Sequence, residues 1–122
     1  MKRLVLPYPP STNRIWRKAG NRIVMSDEAK AFKRAVFVLA KAGAIGAPLT
    51  GSIALSMILH PPALNKLGRK AGAGIDLSNC IKLAEDALQG LAYANDKQVV
   101  DIRVRRGVPA ADGLLVVEWE EL

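Results

Sequence analysis

Of the eleven acidic residues in this 122-residue chain, five have no evident structural role: Asp76, Glu85, Asp86, Asp96 and Asp101. Glu118, Glu120 and Glu121 lie at the C-terminal edge and Asp112 in a turn, where solvated carboxylates are common. Asp27 and Glu28 follow Ser26 at the start of a helical pattern, where negative charge suits the positive end of the helix dipole. Asp76 precedes a second helical pattern, and Asp96 lies in the short connection that follows it. A helix of about ten residues spans roughly 15 Å, so the two aspartates share a metal site only if the loops at both ends fold back. Otherwise they are a helix-flanking acid and a turn former, and the residues alone favour that plainer assignment. Ser78, Lys82 and Glu85 are spaced four and three apart, so they share one helical face.

Other chemistries are excluded by counting. A single cysteine, Cys80, permits no intramolecular disulfide and no multi-cysteine zinc cage. The single histidine, His60, ends a strand pattern before Pro61 and has no partner for a triad or a zinc site. Cys80 reads as a small buried hydrophobe.

The elements that must position these residues follow from periodicity. Lys2–Leu6 is a strand stopped by Pro7-Tyr8-Pro9-Pro10. Residues 15–25 form a basic ribbon turned at Gly20-Asn21, with Trp16 and Ile23-Val24 as apolar anchors. Ser26 caps a first helix to about Ala42, whose stripe is Ala29, Phe32, Val36, Leu39 and Ala40. A strand over 52–60 precedes a long Gly/Ala-rich loop, 61–74, that carries Lys66, Arg69 and Lys70; loops of that length in compact domains are usually functional or disordered. Ser78 is expected to cap the second helix, which ends near Leu88 with Ile81, Ala84 and Leu88 inward. Strands over 99–105 and 114–120 complete the chain. The order predicts an α/β (α+β) mixed sheet of four or five strands carrying two helices, in a single domain over 1–122.

Charge points to the partner. Eighteen Lys and Arg against eleven acids give a net charge of +7, and residues 1–34 alone supply it, with nine cations against Asp27 and Glu28. Such asymmetry favours a polyanion, because neutralising phosphates releases counterions; a merely solubilising surface is the other reading. No run of 18 apolar residues and no signal-like segment is present, so a soluble, cytoplasmic protein without a membrane span is expected.

Two separated motifs carry a family resemblance. Leu6-Pro7-Tyr8-Pro9-Pro10-Ser11-Thr12-Asn13-Arg14 resembles the opening of the RusA-type Holliday-junction resolvases. Gly74-Ile75-Asp76-Leu77-Ser78-Asn79-Cys80-Ile81-Lys82, with Glu85-Asp86-Ala87-Leu88 and Asn95-Asp96-Lys97-Gln98-Val99-Val100, resembles that family's signature region. Ser26 at the first helix also matches. The similarity covers nearly the whole chain in the right order. It implies a homodimeric, Mg²⁺-dependent endodeoxyribonuclease that binds four-way DNA junctions and nicks opposing strands.

The same resemblance assigns residues. Asp76 matches the first motif aspartate, Asn79 the motif asparagine, Lys82 the lysine and Asp96 the third essential aspartate. The second motif aspartate falls on Ser78, a departure at a catalytic position. Magnesium takes hard oxygen ligands, usually one or two carboxylates with waters and phosphate. Asp76 and Asp96 meet that minimum, and a second metal ion is the first thing lost. Glu85 is the candidate replacement ligand; its alternative is an i, i+3 surface pair with Lys82. Lys82 stabilises phosphate charge, orients water or contacts DNA phosphate.

DNA-binding cations are expected at Arg14, Arg17, Lys18, Lys66, Arg69 and Lys70, with Arg22 nearby. Trp16 and Tyr8 are available to pack or stack, and Trp16 reads first as a core or interface anchor. Paired cuts call for a twofold dimer. The rival classes are a catalytically weakened or inactive junction-binding protein and a small RNA- or protein-binding module of unrelated ancestry. Magnesium-dependent nicking of a synthetic four-way junction separates the first from an enzyme.

Overall fold

The computed structural model describes residues 1–10, 16–64, 67–69 and 76–122. In chain order the elements are β1 (Lys2–Pro7), β2 (Trp16–Ala19), β3 (Arg22–Met25), α1 (Asp27–Ala42), β4 (Ile53–His60), α2 (Leu77–Leu88), a single 3-10 turn (Asp96–Gln98), β5 (Val99–Arg106) and β6 (Leu114–Glu121). β1, β6, β4 and β5 lie side by side in that order in a four-stranded sheet, and β2 and β3 form a separate ribbon. β6 runs antiparallel to both β1 and β4, whereas β4 and β5 are parallel. The sheet is therefore mixed and carries two helices, as the element order predicts.

Alternation decides which face of the sheet is covered. Ile53, Leu55, Met57 and Leu59 of β4 are buried, and the residues between them are half-buried. Across the ladder Leu55 faces Trp119, Met57 faces Val117, and Leu59 faces Leu115. Val117 and Leu115 face Leu4 and Leu6 of β1 on the other side. These side chains share one face because side chains alternate along a strand. That face forms one hydrophobic core with Phe32, Val36 and Ala40 of α1 and Cys80, Leu83, Ala84 and Leu88 of α2. Each fully buried Leu, Ile or Val contributes about 1.5–3 kcal/mol relative to exposure.

Local signals set the helix ends. Ser26 is the N-cap of α1 and its hydroxyl accepts the Ala29 amide at 3.2 Å. α2 differs from expectation: Asp76 is its N-cap, in extended conformation at φ −66° and ψ 149°, and Ser78 lies exposed inside the first turn. Ser and Asp are comparable cap formers, so composition does not choose between them. Leu77 is already helical, which moves the cap to Asp76. The inward face of α2 is also wider than the three expected positions, since Cys80, Leu83 and Ala87 are buried while Ile81 is only half-buried.

The β4–α2–β5 unit places the chemistry. Parallel strands need a crossover connection, and α2 supplies it by returning antiparallel to the strands it links. The N-terminus of β5, with the 3-10 turn before it, thereby comes to the last turns of α2.

Candidate active site at the α2–β5 corner

Asp96 is held by its neighbours' side chains rather than by a long element. Asn95 caps the 3-10 turn: its Oδ1 accepts the Lys97 amide at 2.9 Å, and the Gln98 Oε1 accepts the Asn95 amide at 2.7 Å. This reciprocal capping box satisfies two otherwise orphaned donors. The Gln98 Nε2 also donates to the carbonyls of Leu49 and Gly51, each at 2.9 Å, which ties the turn to the segment before β4. From α2, the Gln89 Oε1 accepts the Asp96 amide at 3.0 Å. The buried Tyr93 hydroxyl donates to the Glu85 carbonyl at 2.7 Å, pinning the end of α2 to the same connection. Four polar side chains thus fix the backbone that presents Asp96.

The side chains brought together are Asp96, Glu85, Lys82 and Asp86. The Glu85 carboxyl is pushed above its ordinary pKa, first by burial and then by the negative charge of Asp96; Asp86 adds to the rise and Lys82 opposes it. Burial and a nearby like charge both disfavour a carboxylate, and both act on the half-buried Glu85. Lys82 donates to the Asp86 Oδ1 at 3.2 Å, and that contact, then Asp96 and Glu85, raises the ammonium pKa. The Lys82 and Asp86 side chains are 66% and 32% exposed, so their pair contributes little to stability. The Tyr93 hydroxyl is raised above its ordinary value, chiefly by burial and then by the Glu85, Asp96 and Asp86 charges, which keeps it a donor.

Asp76 stands at the other end of α2, nine residues before Glu85, or about 14 Å along the helix axis. It is exposed, and its side chain makes no capping hydrogen bond. Among the described residues, no three of His, Cys, Asp and Glu come close enough to hold a metal ion together. Ser78 lies exposed on the face that carries Lys82 and half-buried Glu85. The side chain of Asn79 lies outside the described residues, as do Arg14, Lys66 and Lys70. Arg69, Arg17, Lys18 and Arg22 are described and exposed.

Two charge relationships were not assigned by sequence reasoning, one at the site and one in the core. Asp86 is the direct ion-pair partner of Lys82, and the i, i+4 spacing in Lys82–Asp86 was the available signal. Arg106, at the end of β5, brings its positive charge to Cys80 in the first turns of α2. Burial raises the Cys80 thiol nonetheless, as its dominant influence, so Cys80 is an inert core residue. His60 is likewise structural, with its Nδ1 at 2.8 Å from the Val108 carbonyl. Glu121, exposed at the edge, accepts the Gly51 amide at 2.8 Å, and Glu118 lies 3.9 Å from the exposed Arg3.

Oxygen donors beside a cation, at the edge of a basic domain, suit hydrolysis of a phosphodiester, and the comparisons with known proteins place the chain among the nucleases. The model of the family described as endodeoxyribonuclease RusA matches residues 7–118, a span that takes in both sequence motifs. The crossover junction endodeoxyribonuclease rusA of Enterobacteria phage HK97 is 30% identical over 119 residues, covering 97% of this chain and 92% of that protein. The corresponding protein of Escherichia coli K12 is 31% identical over 102 residues, covering 83% and 78%. That of Enterobacteria phage 82 is 30% identical over 102 residues, with the same coverage. The chain belongs to the endodeoxyribonuclease RusA family.

Proposed function

We propose that the protein is a Mg²⁺-dependent, structure-specific endodeoxyribonuclease that resolves four-way DNA junctions by paired nicks. The observation that carries the reading is the placement of Asp96 where its charge acts on both Glu85 and Lys82, in a chain whose relatives bear the name crossover junction endodeoxyribonuclease.

The donor set fits a magnesium ion. Burial, and then the negative charge of Asp96, hold the Glu85 carboxyl above its ordinary pKa, and a divalent cation would favour its ionised form. Asp96 and Glu85 would hold it from the protein side; Asp76, at the far end of α2, lies outside this set. When bound, such an ion supplies charge stabilisation to the phosphate and lowers the pKa of a bound water. The remaining work falls to the chain. Lys82 stays protonated across the physiological range and meets the negative charge of a phosphate on the α2 face. Asp86 orients the Lys82 ammonium, and Gln89, Asn95 and Gln98 keep Asp96 from swinging away. Arg17, Lys18 and Arg69, with Arg14, Lys66 and Lys70 beyond the described residues, engage the DNA backbone without reading base sequence. A twofold dimer gives the two active sites that paired cuts require.

A second reading is a junction-binding protein with weakened or no catalysis. It is favoured by Ser78 in place of a carboxylate and by the lack of a three-acid cluster among the described residues. Titrating Mg²⁺ against a synthetic four-way junction tests between them. Symmetric nicking that appears with the metal supports the enzyme, and tight binding without nicking at any divalent concentration supports the binder.

A further inference from the structure

The β2–β3 ribbon exposes apolar side chains that a folding domain would ordinarily bury. Residues paired across an antiparallel ladder lie on the same side of it. Trp16 faces Met25 and Lys18 faces Ile23, so these four share one side; Arg17 faces Val24 and Ala19 faces Arg22 on the other. Gly20 adopts a positive φ of 61° in the two-residue turn between the strands, as a tight hairpin with glycine first requires. Met25 packs against the core and fixes the base of the ribbon. Trp16, by contrast, is 57% exposed and Ile23 is 74% exposed. Of the expected apolar anchors, Trp16 and Ile23 therefore do not anchor the ribbon to this chain's core, whereas Val24 is half-buried.

The surrounding charge selects the partner. From Trp16 to Met25 the ribbon carries Arg17, Lys18 and Arg22 and no acidic residue. A second copy of this ribbon would set six cations against one another without a carboxylate. A partner must offer closely spaced negative charge together with flat apolar surface. Intact duplex offers the charge but keeps its base faces stacked, whereas a branch point offers both.

We propose that the β2–β3 ribbon is the branch-recognition element: Trp16 and Ile23 lie against base faces unstacked at the branch, while Lys18, Arg17 and Arg22 hold the phosphates on either side of the ribbon. The inference rests on the branched-DNA reading and adds how a branch is told from linear duplex. Exposed aromatic platforms bind bases with little regard to sequence, and cations on both sides suit an element seated between two DNA arms.

The two tryptophans make the test direct, since Trp119 is 1% exposed and Trp16 is not. Binding of the full-length chain to a four-way junction and to a linear duplex of equal length is measured by anisotropy, with tryptophan emission recorded alongside. Junction is expected to quench and shift the Trp16 emission, and linear duplex to leave it nearly unchanged. Trp16→Ala is expected to weaken junction binding roughly tenfold to hundredfold and linear binding by about twofold or less. Trp16→Phe restores most of the difference. Lys18→Gln weakens both substrates and lowers the salt slope by about one. The unchanged Trp119 signal verifies that the variants are folded. Equal loss on both substrates, or none, overturns the ribbon's role, as does a dimer that dissociates on Trp16→Ala. A wild-type protein with no preference for the junction overturns the branched-DNA reading itself, and this inference with it.

Discussion

The α2–β5 corner and the N-terminal ribbon hold opposite charge and are built on opposite principles. At the corner, Asp96 and Glu85 are half-buried, and the backbone around them is tied by Gln89, Tyr93, Asn95 and Gln98 to segments as distant in sequence as Leu49. The ribbon pairs with no other strand, and its longest side chains stand in water. Carboxylates that must meet a metal and a phosphate need fixed positions, because misplacement of about 1 Å is costly in rate. Cations that capture a phosphate backbone need reach, and their attraction acts over roughly a Debye length. Under the proposed function, the difference separates chemistry from capture, so substitutions should divide into those that change nicking and those that change binding.

The largest effect is expected from Asp96→Asn. Loss of the carboxylate should lower metal-dependent nicking on the order of a thousandfold and leave junction affinity within a few-fold. Single-turnover nicking beside a binding isotherm checks it, and a parallel loss of affinity would erase the proposed division.

Glu85→Gln sharpens the same comparison because stability and activity should move apart. The folded state holds the Glu85 proton more tightly than the unfolded chain, where glutamate has its ordinary value. Ionising Glu85 therefore costs stability as pH rises past that value. At neutral pH the Gln variant is expected to melt no lower than wild type, while nicking falls roughly a hundredfold. Wild type should gain melting temperature with added Mg²⁺ and the variant should gain less. A variant that nicks normally would return Glu85 to a surface role beside Lys82.

The supports of Asp96 should show intermediate effects. Gln89→Ala removes the acceptor for the Asp96 amide and is expected to reduce nicking roughly tenfold, as outer supports of metal sites generally do. Tyr93→Phe removes one buried hydrogen bond, at a cost of about 1 kcal/mol, read as a melting shift of a few degrees. The smallest effect belongs to the ribbon's phosphate contacts. Arg17→Gln should reduce the salt slope of binding by about one with the nicking rate of bound junction unchanged.

Much of this architecture was legible in the sequence, for local reasons. The stripe of Ala29, Phe32, Val36 and Ala40 behind Ser26 marked α1, and the turn at Gly20-Asn21 marked the ribbon. The strand order was not legible, because it depends on pairings such as Leu55 with Trp119, set by packing across the whole chain. Of the two roles expected for Trp16, core or interface anchor, the first does not hold: an apolar residue in a strand pattern is read as buried, but the ribbon reaches past the core. The family resemblance, rather than type and spacing, singled out Asp76, Lys82 and Asp96, and the structure puts Asp76 at the opposite end of α2 from the corner. The Asn95–Gln98 capping box was readable in principle, whereas the Gln98 bonds to Leu49 and Gly51 join segments almost fifty residues apart and leave no local trace. The start of α2 turned on Asp76 and Ser78, two residues with nearly equal capping preference.

Whether the corner can hydrolyse DNA with serine at position 78 is decided most directly by strand nicking of a synthetic four-way junction. Wild type and Glu85→Gln are compared across a Mg²⁺ titration at constant ionic strength. The account predicts paired, symmetric nicks by wild type that rise with Mg²⁺, and a Glu85→Gln variant that binds the junction equally well but nicks it roughly a hundredfold more slowly. Tight binding by both proteins with no nicking at any Mg²⁺ concentration would contradict it.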